Sequence, residues 1–234
     1  MQIQHLGHSG LLVTTGGARI LIDPGTLTDQ DAVRALRGLD AVAITHQHPD
    51  HVDPALLADV LAQNTGALVL AEPQTAEQIE TGEDFAPVRD AGTLRLQSLR
   101  PGDSAEVSGK PGAARITGVG GEHAIIHPDI PRVGNTGLLI TADGEARLGV
   151  TGDSLDPVAE FHGIDVLAFA VVAPWSKMRE TIDFLREVAP QLALPVHDGV
   201  ASPEGRAIYL RQSTALAPED TEVRDWPEDR VVDL

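Results

Sequence analysis

"ITHQHPDHVDP", residues 44–54, places three histidines and two aspartates in the eight positions from His46 to Asp53. Ordering that many titratable side chains in one place costs solvation and entropy. The stretch is therefore either a solvated loop or a cage for something charged. His46 and His48 are two apart, and in an extended segment such residues share a face, so both rings can reach one ion. Pro49 drives His48 away from helical angles and stiffens the turn. Asp50 and His51 then point toward a second position. The pattern H-x-H-x-D-H has a very small chance of arising at random in one chain, and a metal role is the better reading. Asp53 stands apart, because it precedes Pro54 and suits the N-cap of a helix.

The flanks place this motif in a fold. "DAVAIT" (40–45) is a mostly apolar run rich in Ala and Val, so the histidines sit in the loop at the C-terminal end of a buried strand. Leu56, Leu57, Val60 and Leu61 keep helical spacing immediately afterwards. Upstream, "GLLVTT" and "ARILID" flank the hairpin signal Gly16-Gly17, and the second run stops at Asp23-Pro24-Gly25. A short helix is expected at 29–37 and a strand at "ALVLA" (67–71). Residues 86–120 read as short antiparallel strands and 121–135 as a loop. "TGLLITADGEARLGVTGD" reads as a hairpin around Asp143-Gly144, and "IDVLAFAVV" and "LALPV" as buried strands. Helices are expected near 177–188 and 203–216. The order of hairpins, buried strand, polar site and helix occurs twice, which hints at two similar halves.

The whole chain sets further bounds. With 234 residues, 42% of them apolar, it fits a single domain spanning 1–234. Seventeen Lys and Arg against 35 Asp and Glu leave a formal charge of −18. That excess repels phosphate backbones, so nucleic acid is a disfavoured partner, although a bound metal pair would make its own site locally positive. There is no cysteine, which excludes disulfides, thiolate ligands and thiol nucleophiles. "MQIQHLGHSG" lacks a basic segment followed by an apolar run, and no stretch approaches 18 apolar residues. A cytoplasmic protein with no membrane partner is expected, and the sequence sets no oligomeric state.

Beyond the first motif, His123 lies in a glycine-rich loop, Asp153 in "VTGDS" after a strand and His197 in "PVHDG" after "LALPV". Four separate loops thus end a strand with His or Asp, the ligand types that suit zinc and similar divalent ions. Asp153 could instead be a turn residue or a cap. His5, His127 and His162 read as surface or satisfied core residues.

"THQHPDH", with Asp23 before it and His123, Asp153 and His197 after it, resembles the metallo-β-lactamase superfamily. The resemblance runs from "HLGHSGLLV" to "PVHDG". "LGHSG" and "LIDPG" are most similar to the small branch of ascorbate-6-phosphate lactonase-like hydrolases. The resemblance implies an α+β fold, a four-layer αββα sandwich of two mixed β-sheets flanked by helices. It implies one ion held by His46, His48 and His123, a second held by Asp50, His51 and His197, and Asp153 bridging them. Asp23 would orient a ligand, against the alternative of a turn-forming Asp before Pro, and His8 would lie near the cleft. It implies a hydrolase of a small ester, lactone or phosphoester that uses a hydroxide shared by two divalent ions. Zinc is the expected metal, with manganese or iron(II) as alternatives. Asp50 is the expected catalytic carboxylate, orienting the nucleophile or shuttling its proton.

Two other readings compete. One is a non-catalytic metal-stabilised scaffold, although such members lose ligands and this chain keeps a full set. The other is an iron-dependent oxidoreductase, although such relatives carry a carboxylate where His48 stands. At the mouth of the cleft, Ser176 reads as a cap for a helix beginning at Lys177. Lys177 and Arg132 read as solvated, and Trp175 reads equally as pocket wall or core.

Overall fold

The computed structural model describes residues 1–90 and 94–234. The first half runs β1 (Gln2–His5), β2 (Leu11–Thr15), β3 (Ala18–Ile22), α1 (Gln30–Arg34), β4 (Ala41–Ile44), α2 (Pro54–Gln63), β5 (Leu68–Ala71), α3 (Pro73–Thr81), α4 (Ala86–Asp90) and β6 (Arg95–Ser98). The second runs β7 (Ser104–Ser108), β8 (Ala113–Glu122), β9 (Gly134–Thr141), β10 (Leu148–Val150), β11 (Val166–Ala170), α5 (Met178–Val188), β12 (Leu192–Val196), α6 (Pro203–Leu216), β13 (Glu222–Val223) and β14 (Val231–Asp233).

Two seven-stranded sheets result, ordered β14-β1-β2-β3-β4-β5-β6 and β13-β12-β11-β10-β9-β8-β7. Both are mixed and built alike. An antiparallel meander (β1 to β3, β7 to β10) leads into parallel strands (β3 to β6, β10 to β13). Parallel strands need both faces covered, and the residue pattern supplies two apolar faces. In β4, Ala41 and Ala43 point into the core between the sheets, with Ile20, Ile22, Ile140, Leu148 and Leu194. Val42 and Ile44 point the other way, onto Leu56, Leu57, Val60 and Leu61 of α2. On the second sheet, Leu167 and Phe169 meet Phe184, Leu185 and Val188 of α5. Each such Val, Leu, Ile or Phe side chain contributes about 1.5–3 kcal/mol on burial, which conformational entropy largely offsets. The architecture is the expected α+β sandwich, helix–sheet–sheet–helix.

Several local expectations shift. Residues 86–90 form α4 rather than a strand, and β6 joins β5 in parallel, so the antiparallel run begins only at β7; the part of that stretch at 91–93 lies outside the described residues. The loop expected at 121–135 shrinks to 123–133, because β8 and β9 extend their ladder to the Glu122–Gly134 pair. Ser176 does not cap α5. Lys177 occupies that position, and its backbone N–H donates to the Glu180 carboxylate one turn on. Among the described residues, no helix is long and apolar enough to cross a membrane.

Candidate metal centre

The C-terminal ends of the parallel strands of both sheets meet at one rim of the sandwich. Past β4 the chain makes a single tight turn, with His51 N–H and Val52 N–H both donating to His48 O. Asp53 then caps α2, accepting from Ala55 and Leu56 N–H, as its position before Pro54 suggested. The turn after β3 braces this loop: Thr26 N–H donates to Pro49 O and Asp53 N–H to Pro24 O. The backbones are so close that a Cβ on Gly25 would stand 1.9 Å from Asp50 O. That contact explains why glycine follows Asp23-Pro24.

The second sheet contributes His123 beyond β8, Asp153 beyond β10 and His197 beyond β12. Asn135 pins the Asp153 turn, its Oδ1 accepting from Asp153 N–H and its Nδ2 donating to Thr151 O. Thr136 N–H donates to Thr45 O, joining the two sheets beside the site.

The side chains form two clusters. His46, His48, His123 and Asp153 each offer a ligand atom within 4.8 Å of the others, and so do His8, Asp50, His51 and His197. Asp153 lies between the clusters. Its Oδ2 is 3.1 Å from His123 Nε2 and 3.8 Å from His46 Nε2. Its Oδ1 is 3.1 Å from both His51 Nε2 and His197 Nε2. The structure thus brings together every residue singled out by the sequence, His8 and Asp23 included.

Whether this donor set suits cations is testable from its hydrogen bonds. His51 Nδ1 donates to Asp23 Oδ2 at 2.8 Å, His197 Nδ1 to Val172 O at 2.9 Å and His123 Nδ1 to Ala124 O at 2.6 Å. With the outer nitrogen committed as donor, the Nε2 lone pair of each ring points inward, the arrangement of metal-bound imidazoles. His51 Nε2, His197 Nε2 and Asp153 Oδ1 are buried and lack a hydrogen-bond partner. Leaving such atoms unpaired costs about 1–3 kcal/mol each. Donors about 2.0–2.1 Å from a tetrahedral ion lie about 3.3 Å apart, close to the spacings seen here. The site fits divalent cations.

His8 differs from the other rings. Its Nδ1 accepts from Gly199 N–H at 3.1 Å, so the proton resides on Nε2, which donates to Asp50 Oδ2 at 3.2 Å. A nitrogen that donates has no lone pair for a cation. The geometry therefore makes His8 a support for Asp50.

Electrostatics follow the same division. Burial, helped by the neighbouring His51, holds His46 well below the ordinary imidazole range. Burial also opposes the charged form of His51, but the Asp153 and Asp23 carboxylates outweigh it and hold His51 well above that range. Burial acts against the Asp153 anion too, yet His51 and the hydrogen-bonding rings around it keep Asp153 well below the usual carboxylate range. Asp50 is lowered to about 2, because the His8 hydrogen bond and His51 together overcome burial.

Residues 2–197 match the family model of the beta-lactamase superfamily domain. The chain belongs to this superfamily. Its relatives include the Mycobacterium tuberculosis protein Rv0786c, 39% identical over 233 residues and 99% of each chain. A UPF0173 metal-dependent hydrolase of Rhizobium etli is 29% identical over 85% of this chain and 86% of its own. Among solved structures, a metallo hydrolase from Ignicoccus hospitalis superposes with a TM-score of 0.71 at 19% identity, covering 99% of this chain and 97% of its own. A metallo-beta-lactamase fold protein from Bacillus subtilis gives 0.67 at 18% identity, covering 99% and 98%. These likenesses establish the superfamily fold, and the lactonase-like branch stays part of the proposal below.

Three residues at this superfamily site escaped the sequence reading. Trp175, read as either wall or core, donates Nε1–H to Asp153 Oδ2 at 2.8 Å. Thr45 gives its backbone N–H and its hydroxyl to Asp23, and the same hydroxyl lies 3.2 Å from His46 Nδ1. Asn135 pins the Asp153 turn. Thr45 adjoins the motif and was findable there. Nothing local marks Trp175 or Asn135, since their partners are 22 and 18 residues away.

Proposed function

We propose that this chain is a dinuclear metal-dependent hydrolase of a small ester, lactone or phosphoester, acting as one unit over residues 1–234. His46, His48 and His123 would hold one cation, Asp50, His51 and His197 would hold the other, and Asp153 would be shared between them. Zinc suits this imidazole and carboxylate set, and manganese or iron(II) are the alternatives. The "GHS" and "LIDP" elements keep the ascorbate-6-phosphate lactonase-like branch as the finer placement.

The observation that carries the reading is Asp153, whose two oxygens face two separate groups of inward imidazole lone pairs. When bound, divalent cations supply Lewis acidity that ionises water near pH 7 and polarises a carbonyl or phosphoryl oxygen. The protein's own contribution is positioning. Asp23, accepting from Thr45 and His51, fixes the His51 tautomer with its lone pair toward the site. His8 Nε2–H aims the partly exposed Asp50 carboxylate. With its carboxyl at about 2, Asp50 stays ionised at neutral pH and accepts a hydrogen bond from the attacking water. It orients that water rather than storing its proton. Trp175 Nε1–H keeps Asp153 Oδ2 in place from the cleft side. A non-catalytic scaffold would have no use for the half-buried, partly solvent-accessible His48 and Asp50, whereas a hydrolase needs ligands that water can reach.

The test is metal content and hydrolysis in His48→Ala. Loss of bound metal with abolished turnover of p-nitrophenyl esters and phosphates supports the assignment. Turnover near wild type refutes it.

A further inference from the structure

A cleft of ≈ 780 Å³ opens beside the metal centre, with Trp175 in its wall. That volume suits a drug-sized molecule. Part of its lining is apolar: Ile125, Ile126 and Pro128 from the loop after His123, Leu155 from the loop after Asp153, and Trp175 and Phe184. Ile125 is 62% exposed and Ile126 41%. Two large aliphatic side chains presented to water on one short loop are costly unless something apolar covers them.

Charge narrows the occupant. The cleft is lined by three cations, Arg132, Lys177 and Arg179, against four carboxylates, Asp156, Glu180, Asp183 and Glu187. Two of the cations are already engaged. Arg132 bonds Glu122 and the carbonyl of His123, and Lys177 Nζ lies 3.0 Å from Glu180. Arg179 is the one lining cation with no ion-pair partner among the described residues, and it shares the cleft with Asp183 and Glu187, so the lining stays net negative and is poorly matched to a phosphate. The formal charge of −18 adds to the mismatch with a polyanion.

We propose that the substrate is a carboxylic ester or lactone without a phosphate, whose apolar chain or ring lies along Ile125, Ile126, Leu155 and Trp175. This rests on the hydrolase reading above and sets aside both its phosphoester option and a phosphate-bearing lactone of the ascorbate-6-phosphate kind. The reaction is a plain hydrolysis. Water oxygen bonds to the acyl carbon, the acyl C–O bond breaks, and a proton of the water ends on the departing hydroxyl.

The test uses the full-length, metal-loaded protein with p-nitrophenyl acetate, butanoate and octanoate, and with p-nitrophenyl phosphate and bis-p-nitrophenyl phosphate as anionic comparators. kcat/KM should rise by about fourfold per methylene where the chain is fully buried. The octanoate-to-acetate ratio should fall at least tenfold in an Ile125→Ser/Ile126→Ser variant. A flat chain-length series, or preference for either phosphate, overturns the proposal while leaving the hydrolase reading intact. A second readout does not need turnover. Trp175 fluorescence, isolated in a Trp226→Phe background, is titrated with octanamide and acetamide. A saturable change with octanamide alone, lost in the double serine variant, upholds the apolar cleft; no change overturns it. If no ester or phosphate is turned over, the hydrolase reading fails, and this titration alone decides the cleft.

Discussion

Replacing Asp23 by Asn removes one charge and reverses one hydrogen-bonding role. Asp23 is fully buried, and its oxygens accept three hydrogen bonds of 2.8 Å, from Thr45 N–H, the Thr45 hydroxyl and His51 Nδ1–H. An Asn can keep its carbonyl toward Thr45 N–H, which turns its NH2 toward His51 Nδ1. Two donors then face each other. His51 resolves the conflict by moving its proton to Nε2, and so loses the lone pair it directs at Asp153 Oδ1 and the second cluster. A hydrogen bond to a charged group is worth about 1.5–3 kcal/mol. Loss of a carboxylate behind a ligating imidazole typically costs about 10–100-fold in metal affinity. The two figures agree, since a tenfold change is about 1.4 kcal/mol. In a chain of this size the metal-free variant should melt about 3–12 °C lower. Calorimetric titration with Zn²⁺ should show one class of sites weakened by that factor, the class that requires His51 and His197. Two classes of unchanged affinity, with unchanged melting, would refute the argument that Asp23 sets the His51 tautomer.

Asp153→Asn should disturb both clusters together, because the carboxylate serves one with each oxygen; elemental analysis showing clean loss of one ion would contradict a shared ligand. Removing metal by chelation should lower the melting temperature, and Zn²⁺ at about 100 times its dissociation constant should restore about 2.7 kcal/mol of stability, read by thermal denaturation. Burial opposes the charged forms of His51 and His197, but the carboxylates around them raise both above the ordinary imidazole range. Cation binding near pH 7 should therefore release protons, fewer as pH rises, seen as a buffer-dependent enthalpy. Gly25→Ala should destabilise the protein by about 1–3 kcal/mol and lower metal content, since its Cβ would meet the backbone carbonyl of Asp50; denaturant melts matching wild type would refute the close approach.

Much of the fold was legible because local chemistry and burial agreed. In "DAVAIT" every residue from Ala41 to Ile44 is buried, and Asp53-Pro54 capped the helix they suggest. Less was legible where pairing is non-local. β14 closes the edge of the first sheet against β1, more than 220 residues away, and two- and three-residue strands such as β13 and β14 carry almost no periodicity. α3 went unread although Glu72, Pro73, Ala76 and Ile79 supply its cap and apolar face. The residues of β6 do not reveal that it pairs in parallel with β5, because the direction of a strand's partner is not written in its own residues.

At the site, residue chemistry and order along the chain were enough to single out His46, His48, Asp50, His51, His123, Asp153 and His197. Imidazole and carboxylate have few other reasons to crowd the ends of buried strands. Tertiary structure decided which nitrogen of each ring faces inward, that His8 donates to Asp50, and that Trp175 holds Asp153 from across the cleft. Those facts depend on where an acceptor or a backbone N–H from a remote strand comes to rest. Only packing the two sheets together fixes those positions.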